Sequence, residues 1–273
     1  MTPAEERTPP RQSSMVGRWA RERGDRLVAF FEQVGTVTIL VKQAFVALFT
    51  NKFEWKPFVY QMEQLGVKSL GIGAATAIFV GIVMAIQFAF SLEKFGAKDS
   101  VGRIVGLSEA RELAPSLTSL VVGSRIAAGM AAEIGSMAVT EQIDAIRSLG
   151  ADPVRKLVVP RMLAAVLVMP MLATFALLLG VASAMLVCNI TFGIPMPFFL
   201  SSALDAVTMR DFFSGLGKTP FFGFIIAMLG CHFGFQTTGG TEGVGRATTT
   251  AVVVVSITIL IADALLTQIF LTI

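Results

Sequence analysis

The chain has 273 residues, 54% of them hydrophobic and only 15% charged. A water-soluble domain carries about 25% charged residues, so this composition excludes an ordinary soluble fold and points to lipid as the surrounding solvent. The net charge is only +3, and the cations sit in short connecting segments with no basic stripe interleaved with aromatics, which excludes nucleic acid as a partner.

Residues 1–26 are polar and Pro-rich at the start, with Arg7, Arg11, Arg18, Arg21, Arg23 and Arg26. They read as a disordered basic cytoplasmic tail, since no compact apolar run with a small-residue cleavage site follows. Residues 27–66 read as interfacial and elbow helices. Phe30, Phe31, Val34, Val37, Val41, Phe45 and Leu48 approximate one helical face, while Glu32 and Lys42 interrupt the run, so a helix lying in the membrane plane is favoured over a crossing. Trp55 and Tyr60 then mark an elbow at headgroup level.

Runs of about 20 apolar residues span a bilayer as helices. Five are expected in a membrane domain over 67–273, at about 67–92, 109–137, 161–193, 215–235 and 247–271, with the third broken by Pro170. The fold class is therefore an all-α integral membrane protein with five transmembrane helices, an N-terminal interfacial (elbow) helix and a short cytoplasmic helix. Lys and Arg concentrate on the side of the N-terminus, which predicts the N-terminus inside and the C-terminus outside.

Ionisable residues within membrane helices are expensive and mark function by default; here they are Arg125, Glu133 and Asp263. At 100° per residue, Arg111, Arg125 and Glu133 share one stripe with Gly129. Rows of small residues on the same helix (Ser124, Ala128, Ala132 and Ala127, Ala131, Gly135) allow close helix approach. The 140–150 segment reads as a short helix. Thr140 is its N-cap, Glu141 and Asp144 put negative charge at its start, and Ile143, Ile146 and Leu149 lie on one face. Gly150 with Asp152-Pro153 ends it. Such a helix suits docking in the groove of a soluble partner.

The Gly-rich stretch 237–246 is too rich in glycine to be helical. Gly215-Leu216-Gly217-Lys218-Thr219 is not a phosphate loop, because the required upstream glycine position holds Phe212. Cys188, Cys231 and the sole histidine, His232, read as helix residues and not as a metal site, and no cofactor is implied. No catalytic constellation is present, so the chain does not read as an enzyme and its energy must come from another subunit.

Several motifs together resemble the MlaE/YrbE family of ABC permeases. They are Arg111-Glu112-Leu113-Ala114-Pro115, Gly123-Ser124-Arg125, Ala132-Glu133-Ile134-Gly135-Ser136-Met137, Val139-Thr140-Glu141-Gln142-Ile143-Asp144-Ala145, Gly150-Ala151-Asp152-Pro153 and Val159-Pro160-Arg161. The C-terminal run Gly239 to Thr249, followed by a helix with Asp263, agrees. The resemblance implies a homodimer of five-span subunits in the bacterial inner membrane, with two copies of a cytoplasmic ABC ATPase. It further implies a STAS-domain protein, a periplasmic MCE-domain substrate-binding protein, and phospholipid moved between inner and outer membranes. By the same resemblance Thr140, Glu141, Gln142, Ile143, Asp144, Ile146 and Arg147 form a coupling helix to the ATPase. Arg111 and Glu112 sit at a lipid-pocket mouth, and Ile82, Ile86, Gln87 and Phe90 line the first span. Two other classes remain open on residues alone: an ion-driven secondary transporter using Arg125, Glu133 and Asp263, and a membrane scaffold.

Overall fold

The computed structural model describes residues 15–50 and 54–272. Residues 1–14 of the expected tail and 51–53 of the expected elbow lie outside the described residues. The chain forms α1 (Met15–Thr50), α2 (Trp55–Leu65), α3 (Leu70–Lys94), α4 (Val101–Ser108), α5 (Thr118–Val139), α6 (Gln142–Ser148), α7 (Val159–Phe192), α8 (Met196–Ala206), α9 (Met209–Phe235) and α10 (Gly240–Thr272). A single 3-10 turn at Val67–Ser69 joins α2 to α3. Two π-helical segments, Glu109–Leu117 and Val154–Val158, lead into α5 and α7. No strand occurs among the described residues.

An all-helical chain meets the demand of hydrocarbon, because in a helix each backbone N–H and C=O finds its partner within the same segment. Six helical stretches among the described residues are long and apolar enough to cross a membrane, one more than the five expected, the additional one being Phe31–Thr50. Length and composition do not separate a crossing helix from one lying in the plane. α1 also begins at Met15, inside the stretch expected as tail.

Three other expectations are corrected. α7 runs unbroken through Pro170: proline removes one N–H, but the remaining backbone pairs hold the helix in lipid, and Thr174 Oγ1 donates to the Pro170 carbonyl at 2.9 Å. The Gly-rich stretch is helical from Gly240 onward. Its glycines make the reversal, with Gly239 and Gly240 at φ +86° and +68°, and let the first turn press on the preceding strand of chain, where a Cβ at Gly243 would overlap the Thr238 carbonyl. The third is α8, which the sequence reading left without structure. It seats Phe199, fully buried, with its backbone against Gly102 of α4.

α5 packs closely against α9 and α10, as its small-residue rows predict. Ala127 and Ala131 are buried, and Gly230 and Gly234 of α9 approach Ala127 and Ile134 closely. On its α10 side, Ser124 and Ser256 share a hydrogen bond of 2.9 Å. α3 and α7 cross at Gly81 and Gly180, where a Cβ on Gly81 would overlap the Gly180 carbonyl. Gly81→Val is therefore expected to destabilise the protein by about 1–3 kcal/mol, read as a lower thermal unfolding midpoint in detergent; an unchanged midpoint would contradict the crossing.

Candidate functional site

The π segment Glu109–Leu117 contains Pro115, which donates no hydrogen bond, and π turns of this kind are rare and concentrate at functional sites. The widened turn also ends the phase relation assumed along this helix. Arg125, Gly129 and Glu133 do share an exposed face of α5, but Arg111 belongs to a different surface. Close contact with α9 is made at Gly215, where any Cβ would overlap the Ala110 carbonyl. That approach brings α9 side chains one turn later within reach of the π segment.

The result is a cluster of five charges. Arg111 Nε donates to Asp211 Oδ1 at 2.7 Å, and a second guanidinium nitrogen also pairs with Asp211. Asp211 is fixed by a capping box at the start of α9: Thr208 N and Oγ1 donate to its Oδ2 at 3.0 and 2.7 Å. Lys218 is 1% exposed and donates to Glu112 Oε1 and Oε2 at 2.8 and 2.9 Å. It also reaches Thr267 Oγ1 at 2.7 Å and Asp263 Oδ1 at 3.4 Å. All three donors of the ammonium thus have partners on the π segment and α10. Arg111, Glu112, Arg210, Asp211 and Lys218 line a cavity of about 310 Å³, at the small end of the ligand-pocket range.

Of the residues expected at the pocket mouth, Arg111 and Glu112 are in this cluster and Asp263 joins them. Ile82, Ile86, Gln87 and Phe90 lie on α3. The last three are exposed, Lys94 Nζ sits 4.3 Å from the Phe90 ring centroid, and none of the four lines the cavity beside Glu112. Arg125 and Glu133 do not pair with each other. Arg125 Nη1 donates to Ser69 Oγ at 2.8 Å, whereas Glu133 pairs with Arg161 at 2.7 Å. Arg161, expected at the very start of the third span, is buried inside α7 at 3% exposure. With separate partners, Arg125, Glu133 and Asp263 form no continuous ionic chain.

At the opposite end of the bundle, α6 spans Gln142–Ser148, shorter than the expected 140–150. The N-cap position is Glu141, held at φ +59°, and not Thr140. The Thr140 hydroxyl instead donates to the Ser136 carbonyl at 2.7 Å, closing α5, and accepts from Gln142 Nε2 at 3.0 Å. Ile143 is buried and Ile146 packs against the core, but Leu149 is 85% exposed, so the predicted three-residue face splits after Ile146, where the helix ends. Glu141, Gln142, Asp144 and Arg147 are exposed, with an ion pair of 3.0 Å between the last two. Ile143, Asp144 and Arg147, together with α1 and Thr237–Thr238, line a cavity of about 1040 Å³.

Sequence reasoning missed Lys218, Asp211, Arg161 and Glu109. Glu109 is 2% exposed, faces Gly180 of α7, and has one oxygen without a hydrogen-bond partner among the described residues. The usable signal for Lys218 was its position within a 27-residue apolar helix.

Removing the Lys218 ammonium leaves Glu112 and Asp263 facing each other without a cation. Lys218→Ala is expected to cost about 3–5 kcal/mol, and Asp263→Asn clearly less because Glu112 and Thr267 still hold the ammonium. Thermal unfolding of the two variants in the same detergent checks the order; equal losses would count against Lys218 as the hub.

A profile of the family described as Permease MlaE matches residues 58–269. The chain is 38% identical to the chloroplastic protein TRIGALACTOSYLDIACYLGLYCEROL 1 of Arabidopsis thaliana over 235 residues, covering 86% of this chain and 67% of that one. It is 38% identical to a probable ABC transporter permease protein of Synechocystis over 244 residues, covering 89% and 93%. A probable ABC transporter permease protein of Rickettsia conorii is also 38% identical over 251 residues, covering 92% and 97%. A family match over most of the length, with relatives this similar over two thirds or more of their own chains, means that this multi-pass membrane protein belongs to the MlaE permease family.

Proposed function

We propose that the chain is the membrane-spanning, non-catalytic subunit of an ABC-type transporter that moves phospholipid between the inner and outer membranes of a bacterial envelope. The observation that carries this reading is the family match over 58–269, joined by relatives named as ABC transporter permeases. The Arabidopsis relative bears the name of a galactolipid, which supports a lipid as cargo. The subunit works as a homodimer in the inner membrane, with its N-terminus cytoplasmic and its C-terminus periplasmic. It takes two copies of a cytoplasmic ATPase, a STAS-domain protein on the same side and an MCE-domain protein outside.

In this reading α6 is the contact with the ATPase. Its outward face is polar and exposed while Ile143 anchors it to the bundle, so a push on α6 is delivered to the end of α5. Arg111, Glu112 and the α3 face with Ile82, Ile86, Gln87 and Phe90 contact lipid near the outer mouth. Two packings of the bundle, interconverted by ATPase closure, then admit and release the acyl chains.

Purification with neighbouring subunits in mild detergent, followed by mass spectrometry, is expected to find an ATPase and bound phospholipid; a chain that purifies with neither loses the reading. In the reconstituted complex, Glu141→Lys and Leu149→Asp change exposed residues around α6. They are expected to lower lipid-stimulated ATP hydrolysis by about tenfold, the effect of losing a contact of about 1.4 kcal/mol, with the unfolding midpoint unchanged. Full stimulation in both variants would remove α6 from the contact.

A further inference from the structure

A third cavity, of about 550 Å³, lies where the α2–α3 elbow meets α5 and shares no lining residue with the Lys218 cluster. Its depth in the membrane follows from α3. The run from Leu70 to Leu92 carries no charged residue, and at 1.5 Å per residue it covers roughly 34 Å, about the hydrocarbon thickness. Lys68, just before that run, is therefore at headgroup level on one side of the bilayer. Arg125 lies at the same level, since its guanidinium touches Ser69. Tyr60, also lining the cavity, is exposed on α2 beyond it, where amphipathic rings settle.

The cavity's chemistry is that of an anion site with unspent donors. Arg125 gives one hydrogen bond, to the Ser69 hydroxyl at 2.8 Å, and has no carboxylate in ion-pair range among the described residues; the same holds for Lys68. Gln61 is 7% exposed and lines the cavity, yet its amide makes no hydrogen bond among the described residues. Glu133 is the one carboxylate on the rim, and it is matched by Arg161 at 2.7 Å. Two turns of α5 keep it from Arg125. The guanidinium keeps most of its five N–H donors free, and its planar fork fits a phosphate. Leu65, Ile126 and Met130 give the cavity an apolar floor, which suits the glycerol and first acyl carbons of a lipid and gives nothing to a free anion.

We infer that this cavity binds the phosphodiester of an anionic phospholipid from the adjacent leaflet, with Arg125, Lys68 and Gln61 as its ligands. The site stands on the membrane fold alone and does not require that the protein transport lipid.

The test uses the full chain, with any subunits that accompany it, in nanodiscs of phosphatidylcholine with a minority of phosphatidylglycerol. Native mass spectrometry then reads the lipid that stays bound after transfer to detergent. Wild type is expected to retain phosphatidylglycerol in preference to phosphatidylcholine. The double variant Arg125→Gln/Lys68→Gln loses two charge-assisted contacts and is expected to retain roughly tenfold less. Gln61→Glu, nearly isosteric and able to pair with the two cations, is expected to lose retention to a similar degree while keeping the wild-type unfolding midpoint, so the result does not rest on the double variant's folding. Undiminished phosphatidylglycerol in Gln61→Glu and the double variant overturns the inference. So does displacement of the lipid by millimolar inorganic phosphate, which would make the cavity a site for a free anion. Neither readout involves nucleotide or transport, so this site and the permease reading fail separately.

Discussion

Hydrocarbon offers no hydrogen bond, and each polar group placed in it must be answered by the protein itself. The backbone answers by remaining helical even where single residues argue against it, as at Pro170 in α7. Side chains answer locally: Thr174, Ser256 and Thr258 return their hydroxyls to carbonyls one turn back, and Asn189 donates to the Ile194 carbonyl at 3.1 Å where α7 ends. The charges of the buried cations, by contrast, are matched across helices. Lys218 ties α9 to the π segment and α10, and Arg161 ties α7 to α5 through Glu133. In lipid these pairs replace much of the positional information that a hydrophobic core supplies in water, since apolar side chains gain little by leaving lipid for protein.

Such pairing works only if helices come close, and glycine sets the distance. Gly215 lets α9 meet the Ala110 carbonyl, and Lys218 follows one turn later at the right depth to reach Glu112. Gly180 makes room for Glu109, and Gly230 and Gly234 bring α9 onto α5. The Gly215–Thr219 run, which looks in sequence like a failed phosphate loop, is thus a helix-approach site followed by a buried cation. Both of its features are membrane-packing features.

Much of this was legible in the sequence because it rests on local periodicity and composition. The apolar runs, the small-residue face of α5 at Ala127, Ala131 and Gly135, and the exposed polar character of α6 all follow from one-dimensional spacing. What was not legible depends on partners far apart in the chain. Arg161 reads as a cation at the mouth of a span until Glu133 is placed beside it. Arg111 and Arg125 share a stripe only if the helix keeps 3.6 residues per turn, and the π segment breaks that phase. The Gly-rich start of α10 reads as loop because helix propensity charges each glycine about 1 kcal/mol. That penalty was outweighed by a reversal needing positive φ at Gly239 and Gly240 and by a backbone contact at Gly243.

α5 links the two ends of the molecule. It is a single helix of roughly 33 Å, closed at one end by Thr140 before α6 and continuous at the other with the π segment that holds Arg111 and Glu112. Its buried face meets α9 at near-backbone contact, which leaves little slack for bending, because close-packed interiors transmit displacement and do not absorb it. The compliant points lie at its ends, in the left-handed Glu141 and in the widened π turn. A displacement of α6 would therefore move α5 as a rod, and the rod's far end carries one half of the Lys218 cluster. Arg125 lies between, tied to the α3 turn by one hydrogen bond, so the elbow registers the same motion. A contact at one end of the bundle can in this way change the packing at the other without any helix unfolding.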